Sequence, residues 1–253
     1  MKINKGTSKK TFLFLLSYFI LWIILFEFIL PVNQILPKPS IVFLSFSALW
    51  QFYKLPVNFI TTISVVYFSL FAAYFIIYMF RNFLLKHNHI FTDFILSLNW
   101  FSKYVPGIIF GLFLIFWLPD SNYVGFIFAF STAFFSMLIK LKEEIVNVKH
   151  EYVDAAKSLG ADESVVRRKI LWDASQPGLI KHLFELHFYI WSVLIVFEFI
   201  NGGYGLGNIF RLALQYRDLS ALFTNAIIIG VTIFLGSHVI RYIRNKFFHW
   251  SIF

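Results

Sequence analysis

The segment HLFELH (His182 to His187) carries two imidazoles and a carboxylate, the side chains that bind zinc in many hydrolases. A hydrolase helix of the His-Glu-x-x-His type places its two histidines four residues apart, on one face. Here the histidines are five residues apart, so on a helix the two imidazoles point about 140° away from each other. The spacing argues against a metallohydrolase and favours histidines near a membrane boundary.

Glycine-rich phosphate sites are the next chemistry to consider. GGYGLG (Gly202 to Gly207) lacks the Gly-x-Gly-x-x-Gly spacing of dinucleotide-binding turns, and Gly-x-x-x-x-Gly-Lys-Ser/Thr occurs nowhere in the chain. We therefore expect no ATP bound by a Walker A loop in this chain, and any ATP-derived energy has to come from another subunit. The segment 202–207 is interpreted as a turn that re-enters the membrane or touches an external partner.

The composition indicates an integral membrane protein. Hydrophobic residues make up 59% of the chain and charged residues 14%, whereas soluble domains carry about 25% charged residues. Apolar runs of about 20 residues recur, each long enough to cross a ~30 Å hydrocarbon layer as a helix. A soluble helical protein would need polar helix faces, and few are present. With no cysteine, disulfides and cysteine-ligated metals are excluded.

The predicted fold is all-α, a single transmembrane domain over residues 1–253. The N-terminal apolar run is interpreted as a retained span, because no small-x-small cleavage site follows it. Pro106 predicts a kink in the third span, and GIIFG (Gly107 to Gly111) a close helix contact. The six predicted spans cover about 12–30, 58–80, 94–118, 122–139, 183–200 and 221–243.

Loop charge predicts the orientation of these spans, since lysine and arginine accumulate on the cytoplasmic side. With the N-terminus inside, the outer loops hold only four of the 22 basic residues, namely Lys38, Lys54, Arg211 and Arg217. Both termini are therefore expected in the cytoplasm. The net charge of +9 is explained by topology, and nucleic-acid binding gains no support. The outer segment Ile41 to Tyr53 is either a helix along the membrane surface or ordinary connecting structure.

The longest predicted cytoplasmic segment contains a charged stretch, EYVDAAKSLGADESVVRRKI, at residues 151–170. Residues 151–159 predict a helix with Val153, Ala156 and Leu159 along one side. Gly160 predicts its end, because glycine adopts a left-handed backbone without steric cost. Asp162 is expected to cap a second helix.

In that second helix, Glu163 lies in the first turn and the basic run 167–169 lies towards the C-terminal end, as the helix dipole favours. Pro177-Gly178 is expected to end the region. Two short helices joined at a glycine predict a knob projecting from the membrane, where Ala155 and Ala156 permit close approach by another surface. The alternative is a solvated loop with charged faces.

The segment from Asp154 to Ile170 resembles the EAA loop of ABC importer permeases. It reads Asp154-Ala155-Ala156, three residues, Gly160, nine residues and Ile170. The family motif reads Glu-Ala-Ala, three residues, Gly, nine residues, Ile, any residue, Leu-Pro. The flanking AAKSLGA, RRKIL and QPGL are also similar to the family. Two departures stand out. Asp154 replaces the glutamate, and Trp172-Asp173 replaces Leu-Pro, so the second helix either runs on or leaves at another angle.

The resemblance implies a type I ABC importer permease-like fold whose coupling loop covers about 143–181. In this family the loop docks into a cytoplasmic ATPase, so ATP binds the partner, and the chain itself is a transport subunit with no catalytic site or cofactor. The implied coupling residues are Asp154, Ala155, Ala156, Gly160 and Ile170. Implied partners are this ATPase, a second permease subunit (a homodimer), an extracytoplasmic solute-binding protein and the lipid of the cell (inner) membrane.

A weaker resemblance points to the nitrate/sulfonate/taurine branch, which also includes permeases for pyrimidine precursors of thiamine. It rests on LPKPSIVF near residue 36 and on Glu198 followed by FINGGYGLGNIF. Acids at a helix centre in the membrane cost about 2.5–3.5 kcal/mol and usually face an interior or cavity. Glu198 is therefore a candidate for the translocation path or outer gate, with a structural hydrogen bond at a helix end as an equal alternative.

A second function is compatible with the same residues. The chain could be a membrane scaffold or inactive permease remnant that binds an ATPase without transporting a solute. The replacement of Leu-Pro by Trp172-Asp173 is the feature that favours it.

Overall fold

The structure is a computed structural model that describes residues 5–30, 37–85, 94–95, 97–98, 100–101, 104–119 and 123–247. The regular elements over these ranges are helices. They are α1 (Lys5–Ile23, continued by a π-helix at Ile24–Ile29), α2 (Pro39–Gln51), α3 (Leu55–Met79), α4 (Arg81–Leu84), α5 (Gly107–Trp117), α6 (Val124–Val146), α7 (His150–Ser158), α8 (Glu163–Val165, continued by a π-helix at Val166–Leu171), α9 (Trp172–Asn201), α10 (Leu206–Gln215) and α11 (Leu219–Phe247).

Four of the described helical stretches are long and apolar enough to cross a membrane: Leu55–Met79, Val124–Val146, Glu163–Asn201 and Leu219–Lys246. The prediction of an all-helical, multi-pass membrane protein is confirmed. The first and third predicted spans coincide with shorter apolar helices, Leu16–Ile29 and Gly107–Trp117. Part of the third predicted span lies outside the described residues, so the count of six spans stays a prediction.

The core forms where α3, α6 and α9 pack together. On α6, the small side chains of Ala129 and Ala133 are fully buried, which brings neighbouring helices close. Phe128 stacks on Phe197 of α9 with ring centroids 4.7 Å apart. A methyl group at Gly111 of α5 would lie within 2.9–3.0 Å of these two rings. The predicted close contact at this glycine is confirmed.

Pro106 interrupts the third predicted span more sharply than a kink would. Its ψ of 132° is not helical, and α5 begins at the next residue. Because proline cannot donate the hydrogen bond that continues a helix, it is tolerated at such a start and disfavoured inside.

The segment after the first predicted span forms a helix that lies on α11. Val42, Ser45 and Leu49, spaced by about one helical turn, form the buried face of α2. The hydroxyl of Thr224 on α11 donates to the carbonyl of Val42 at 2.8 Å. The opposite face is apolar and exposed, as at Trp50. Of the two alternatives left open for 41–53, the helix is present as far as Gln51, and its position along the membrane surface stays a prediction.

The expectation that Pro177-Gly178 ends the charged region is wrong, because α9 continues through Pro177 to Asn201. For the same reason the basic run 167–169 lies at the start of one long helix and not at the C-terminal end of a short one. A proline inside a helix costs about 3 kcal/mol. Burial of Trp172 and Leu179 on either side of it offsets that cost, since each large apolar side chain contributes about 1.5–3 kcal/mol when buried.

Candidate functional site

The helix α7 is held by backbone geometry at its C-terminal end. Gly160 has a φ of +83°, and its N–H donates to the carbonyl of Lys157 at 2.9 Å. The N–H of Ala161 donates to the carbonyl of Ala156 at 3.0 Å. These bonds pair carbonyls that otherwise have no partner at a helix end. The predicted end of the helix at Gly160 is confirmed.

Asp162 caps the next helix as predicted. Its Oδ1 accepts hydrogen bonds from the N–H of Val165 at 2.7 Å and from the hydroxyl of Ser164 at 3.1 Å. Hydrogen bonds to the charged form favour it, so the Val165 N–H, followed by the Ser164 hydroxyl, lowers the pKa of the Asp162 carboxyl. Glu163 forms an ion pair with Arg167 at 3.1 Å, one turn later. The connection between α7 and α8 is therefore a defined turn.

The set of residues on the inner side of α7 differs in part from the predicted set. Val153 and Ala156 are half-buried where α7 packs against the π-helix Val166–Leu171. Leu159, predicted on the same side, is 89% exposed instead, because the chain leaves the helix at this residue. Tyr152 and Ala155 are also exposed. Tyr152, Ala155 and Leu159 form an outward-facing apolar surface, called here the exposed stripe.

The remaining coupling residues implied by the resemblance lie around this stripe. Asp154 and Gly160 are exposed, and Ile170 is half-buried in the π-helix that supports α7. The loop thus brings Asp154, Ala155 and Gly160 to one accessible knob, with Ile170 in its base. Tyr152 was not singled out from the sequence, although its spacing of three residues from Ala155 was the available signal.

The base of the knob is joined to α3 through Trp172. This side chain is buried, and its ring meets the ring of Tyr78 edge-on at a centroid distance of 5.8 Å. The guanidinium of Arg81 lies 4.2 Å from the Tyr78 ring centroid and 5.9 Å from the Trp172 ring centroid. Of the two outcomes left open for the departure at Trp172-Asp173, the helix running on is the correct one.

A second polar site lies at the C-terminal end of α9, around Glu198. This side chain is 4% exposed. Its carboxylate accepts a hydrogen bond from the hydroxyl of Thr62 at 2.8 Å and another from the N–H of Gly207 at 2.9 Å. A buried carboxylate needs such donors, because it has lost its hydration. Glu198 therefore joins α3, α9 and α10.

Further hydrogen bonds extend this cluster. The N–H of Leu206 donates to the Thr62 hydroxyl at 2.8 Å, and the N–H of Gly205 donates to Oδ1 of Asn58 at 2.7 Å. The amide of Asn225 on α11 donates to the carbonyl of Leu206 at 3.0 Å. Asn58, Thr62 and Asn225 were missed in the sequence, where their polarity within apolar runs was the signal. We call Asn58, Thr62, Glu198 and Asn225 the buried polar cluster.

Residues 202–205 form a turn that leads into α10 and folds inward onto the buried polar cluster, while re-entry into the membrane or contact with an external partner stays a prediction. Gly205 has a φ of +137°, and an added methyl group there would overlap the Glu198 carboxyl. Glu198 also borders a cavity of about 210 Å³ that Thr61, Gly125 and Tyr204 line as well. The Glu198 carboxylate thus makes hydrogen bonds that fit a structural role at a helix end, and it also lies beside a cavity.

The two histidines of HLFELH contact different helices. Nε2 of His182 lies 2.9 Å from the hydroxyl oxygen of Ser136 on α6. Nε2 of His187 lies 3.2 Å from the hydroxyl oxygen of Tyr67 on α3, and it accepts a hydrogen bond from Nε1 of Trp191 at 3.2 Å. The two imidazoles thus contact different helices, in agreement with the angle of about 140° between side chains five residues apart on a helix.

Residues 83–249 match the family of binding-protein-dependent transport system inner membrane components, and the chain belongs to this family. An ABC transporter permease protein of Methanocaldococcus jannaschii is 26% identical over 156 residues, which are 61% of this chain and 52% of that protein. An ABC transporter permease protein of Brucella abortus is 22% identical over 122 residues, 48% of this chain and 49% of that protein. The chain spans about half the length of these curated relatives.

Proposed function

We propose that this chain is the membrane-spanning permease subunit of an ABC importer and is coupled to a separate ATPase through residues 151–170. Two copies form the translocation path in the cell (inner) membrane, each with six spans and both termini in the cytoplasm. A solute-binding protein delivers a small solute from outside, of the nitrate/sulfonate/taurine or thiamine-precursor kind. Family membership supports this proposal.

The exposed stripe is the observation that carries the proposal. Tyr152 and Leu159 are 55% and 89% exposed, and they lie on a short helix whose C-terminal end is fixed by Gly160 and by the capped turn at Asp162 that follows it. Exposed apolar surface on a rigid element is typical of a docking site. The stripe suits insertion into a cleft of the ATPase.

The length of the helical stretch after the stripe supports the projection of the knob. Glu163–Asn201 is a 39-residue stretch, which is about 58 Å at a rise of 1.5 Å per residue. The hydrocarbon layer is about 30 Å thick. Part of this stretch therefore extends beyond the layer, and in the proposed orientation its N-terminal part carries α7 into the cytoplasm.

The contact of Trp172 with Tyr78 supplies a route for the motion. Movement of α7 displaces the π-helix beneath it, and Trp172 transmits that displacement to α3 while α9 moves as one rod. A rigid-body rotation of helices in each subunit then changes the side on which the path is open. Asp154, Ala155, Ala156 and Gly160 act at the ATPase, and Ile170 acts in the base of the knob.

The docking claim is tested by co-purifying the chain with the ABC ATPase encoded nearest to it. Leu159→Asp places a negative charge in the exposed stripe, and Ala156→Glu places the same charge, on a longer side chain, at the half-buried position beside it. Both variants should lose the ATPase and solute uptake in reconstituted vesicles while membrane insertion stays unchanged. Leu159→Asp, at an 89% exposed position, should also leave thermal stability unchanged. Leu214→Asp, at a 52% exposed leucine of α10, is the matched control and should retain the ATPase.

Normal uptake by Ala156→Glu would contradict the proposal. If the unaltered chain binds the ATPase but takes up no solute, the scaffold alternative is favoured. The feature that motivates this alternative is Trp172-Asp173 in place of Leu-Pro.

A further inference from the structure

A cavity of about 390 Å³ lies between α5, α6 and α9. This volume is within the range of small-molecule sites, about 300–1,000 Å³. It is separate from the cavity beside Glu198. Its walls include aromatic rings and hydroxyl groups, among them those of Phe110, Phe135, Ser131, Ser136 and Tyr189.

With α6 crossing the membrane, the cavity would lie near the middle of the hydrocarbon layer. The helix α6 begins at Val124. Along its axis, Ser131 lies about 10 Å and Ser136 about 18 Å from this residue. A hydrocarbon layer is about 30 Å thick. A solute in the cavity would therefore sit near the midplane, where a molecule crossing the membrane has to be held.

The polar groups of this wall are hydroxyls. No described residue that lines the cavity is charged. The hydroxyl of Thr132 donates to the carbonyl of Phe128, and the hydroxyl oxygen of Ser136 contacts Nε2 of His182. Those of Ser131 and Tyr189 have no hydrogen-bond partner among the described residues, so they remain available to a bound molecule.

We propose, on the basis of the function proposed above, that this cavity binds the transported solute and that the solute is uncharged. Among the described residues of this wall an anion would find no cationic partner to replace its hydration, and burial of an unpaired charge is strongly unfavourable. An uncharged organic molecule packs its apolar part against the rings of Phe110 and Phe135. Its polar group exchanges hydrogen bonds with the hydroxyls of Ser131 and Tyr189. Within the solute classes given above, this argues against nitrate and sulfonates.

The absence of cysteine from the chain makes a direct chemical test possible. Ser131→Cys places a single thiol in the cavity wall, and Thr132→Cys is a second position in case the first variant folds poorly. The full chain in membrane vesicles is treated with methyl methanethiosulfonate, which is uncharged, or with its sulfonatoethyl analogue, which is an anion of similar reactivity. Ser158→Cys, exposed on α7, provides the reference rate for each reagent.

Relative to Ser158→Cys, the uncharged reagent should modify Ser131→Cys at least ten times faster than the anionic reagent does. Nicotinamide should slow this modification more than nicotinate, which has the same ring and a negative charge. Equal relative rates for the two reagents, equal or better protection by nicotinate, protection by neither compound, or a thiol that reacts with neither reagent would each overturn the proposal. ATPase co-purification is a separate measurement. The thiol-modification rates therefore still test the solute site if the proposed coupling to the ATPase fails.

Discussion

The hydroxyl of Thr62 donates to the carboxylate of Glu198 at 2.8 Å and joins the N-terminal part of α3 to the C-terminal end of α9. The same hydroxyl oxygen accepts the N–H of Leu206, which starts α10. Three helices thus meet at two buried side chains that are far apart in the sequence. Such a network fixes three helix ends at the end of α9 that lies opposite to the knob.

Glu198→Ala should lower the free energy of unfolding by about 1–3 kcal/mol, because the N–H of Gly207 and the hydroxyl of Thr62 lose their buried acceptor. Denaturant unfolding in detergent measures the loss. Glu198→Gln should retain most of the stability, since its carbonyl oxygen still accepts one bond. Glu185→Ala is the control, because Glu185 lies on the same helix with its side chain 57% exposed. Equal stabilities for Glu198→Ala and Glu185→Ala would show that the cluster is not structural.

Gly205→Ala should destabilise the chain more than Gly230→Ala. At Gly205 the backbone φ is +137° and a new methyl group would overlap the Glu198 carboxyl, whereas a methyl group at Gly230 meets nothing within 4 Å. Gly230 lies inside α11, where alanine is favoured over glycine by about 1 kcal/mol. The two variants should therefore shift the thermal unfolding temperature in opposite directions. A stabilising effect of Gly205→Ala would refute the described turn.

Trp172→Ala should cost about 3–5 kcal/mol of unfolding free energy, as is usual when a large aromatic side chain is removed from a core. The contact with Tyr78 and the packing of Arg81 are lost together. Trp50→Ala is the matched control, because Trp50 is 57% exposed, and it should change stability little. If the proposed transmission is right, Trp172→Leu should retain more stability than Trp172→Ala but lower uptake per ATP hydrolysed.

The cap at Asp162 should depend on pH in the acidic range. Its carboxyl has a lowered pKa in the folded chain because the Val165 N–H and the Ser164 hydroxyl donate to it. The stabilisation is present above the ordinary aspartate pKa of about 3.9 and is lost as the pH falls through the lower folded value. Hydrogen exchange of residues 159–171, corrected for intrinsic rates, should show the turn loosening on acidification.

Asp162→Asn should remove most of this pH dependence and keep the turn at neutral pH, because asparagine is about as good an N-cap as aspartate. Glu163→Gln serves as a comparison, since it removes the neighbouring acid, which pairs with Arg167, and leaves the cap. An unchanged pH profile in Asp162→Asn would assign the effect to another acid of the loop.

Local backbone chemistry made parts of the segment 151–170 predictable from the sequence. The end of α7 at Gly160 and the cap at Asp162 depend on residues within one helical turn, so the amino-acid types suffice to locate them. The same local reasoning failed at Pro177. There, packing of residues from both sides of the proline against α3 and α6 outweighs the cost of continuing the helix, and no pattern within the segment contains that information.

The sequence by itself determined that this is a helical, multi-pass membrane protein in which a helix between two spans ends at a glycine and is followed by a capped turn, because apolar length and turn chemistry are local properties. Only the tertiary structure decided that Leu159 faces outward beside Tyr152, that Trp172 packs on Tyr78, and that Glu198 meets Thr62 and Gly207. The physical reason is that burial and hydrogen bonding of these side chains depend on helices distant in the chain, whose relative positions are fixed only when the whole core packs.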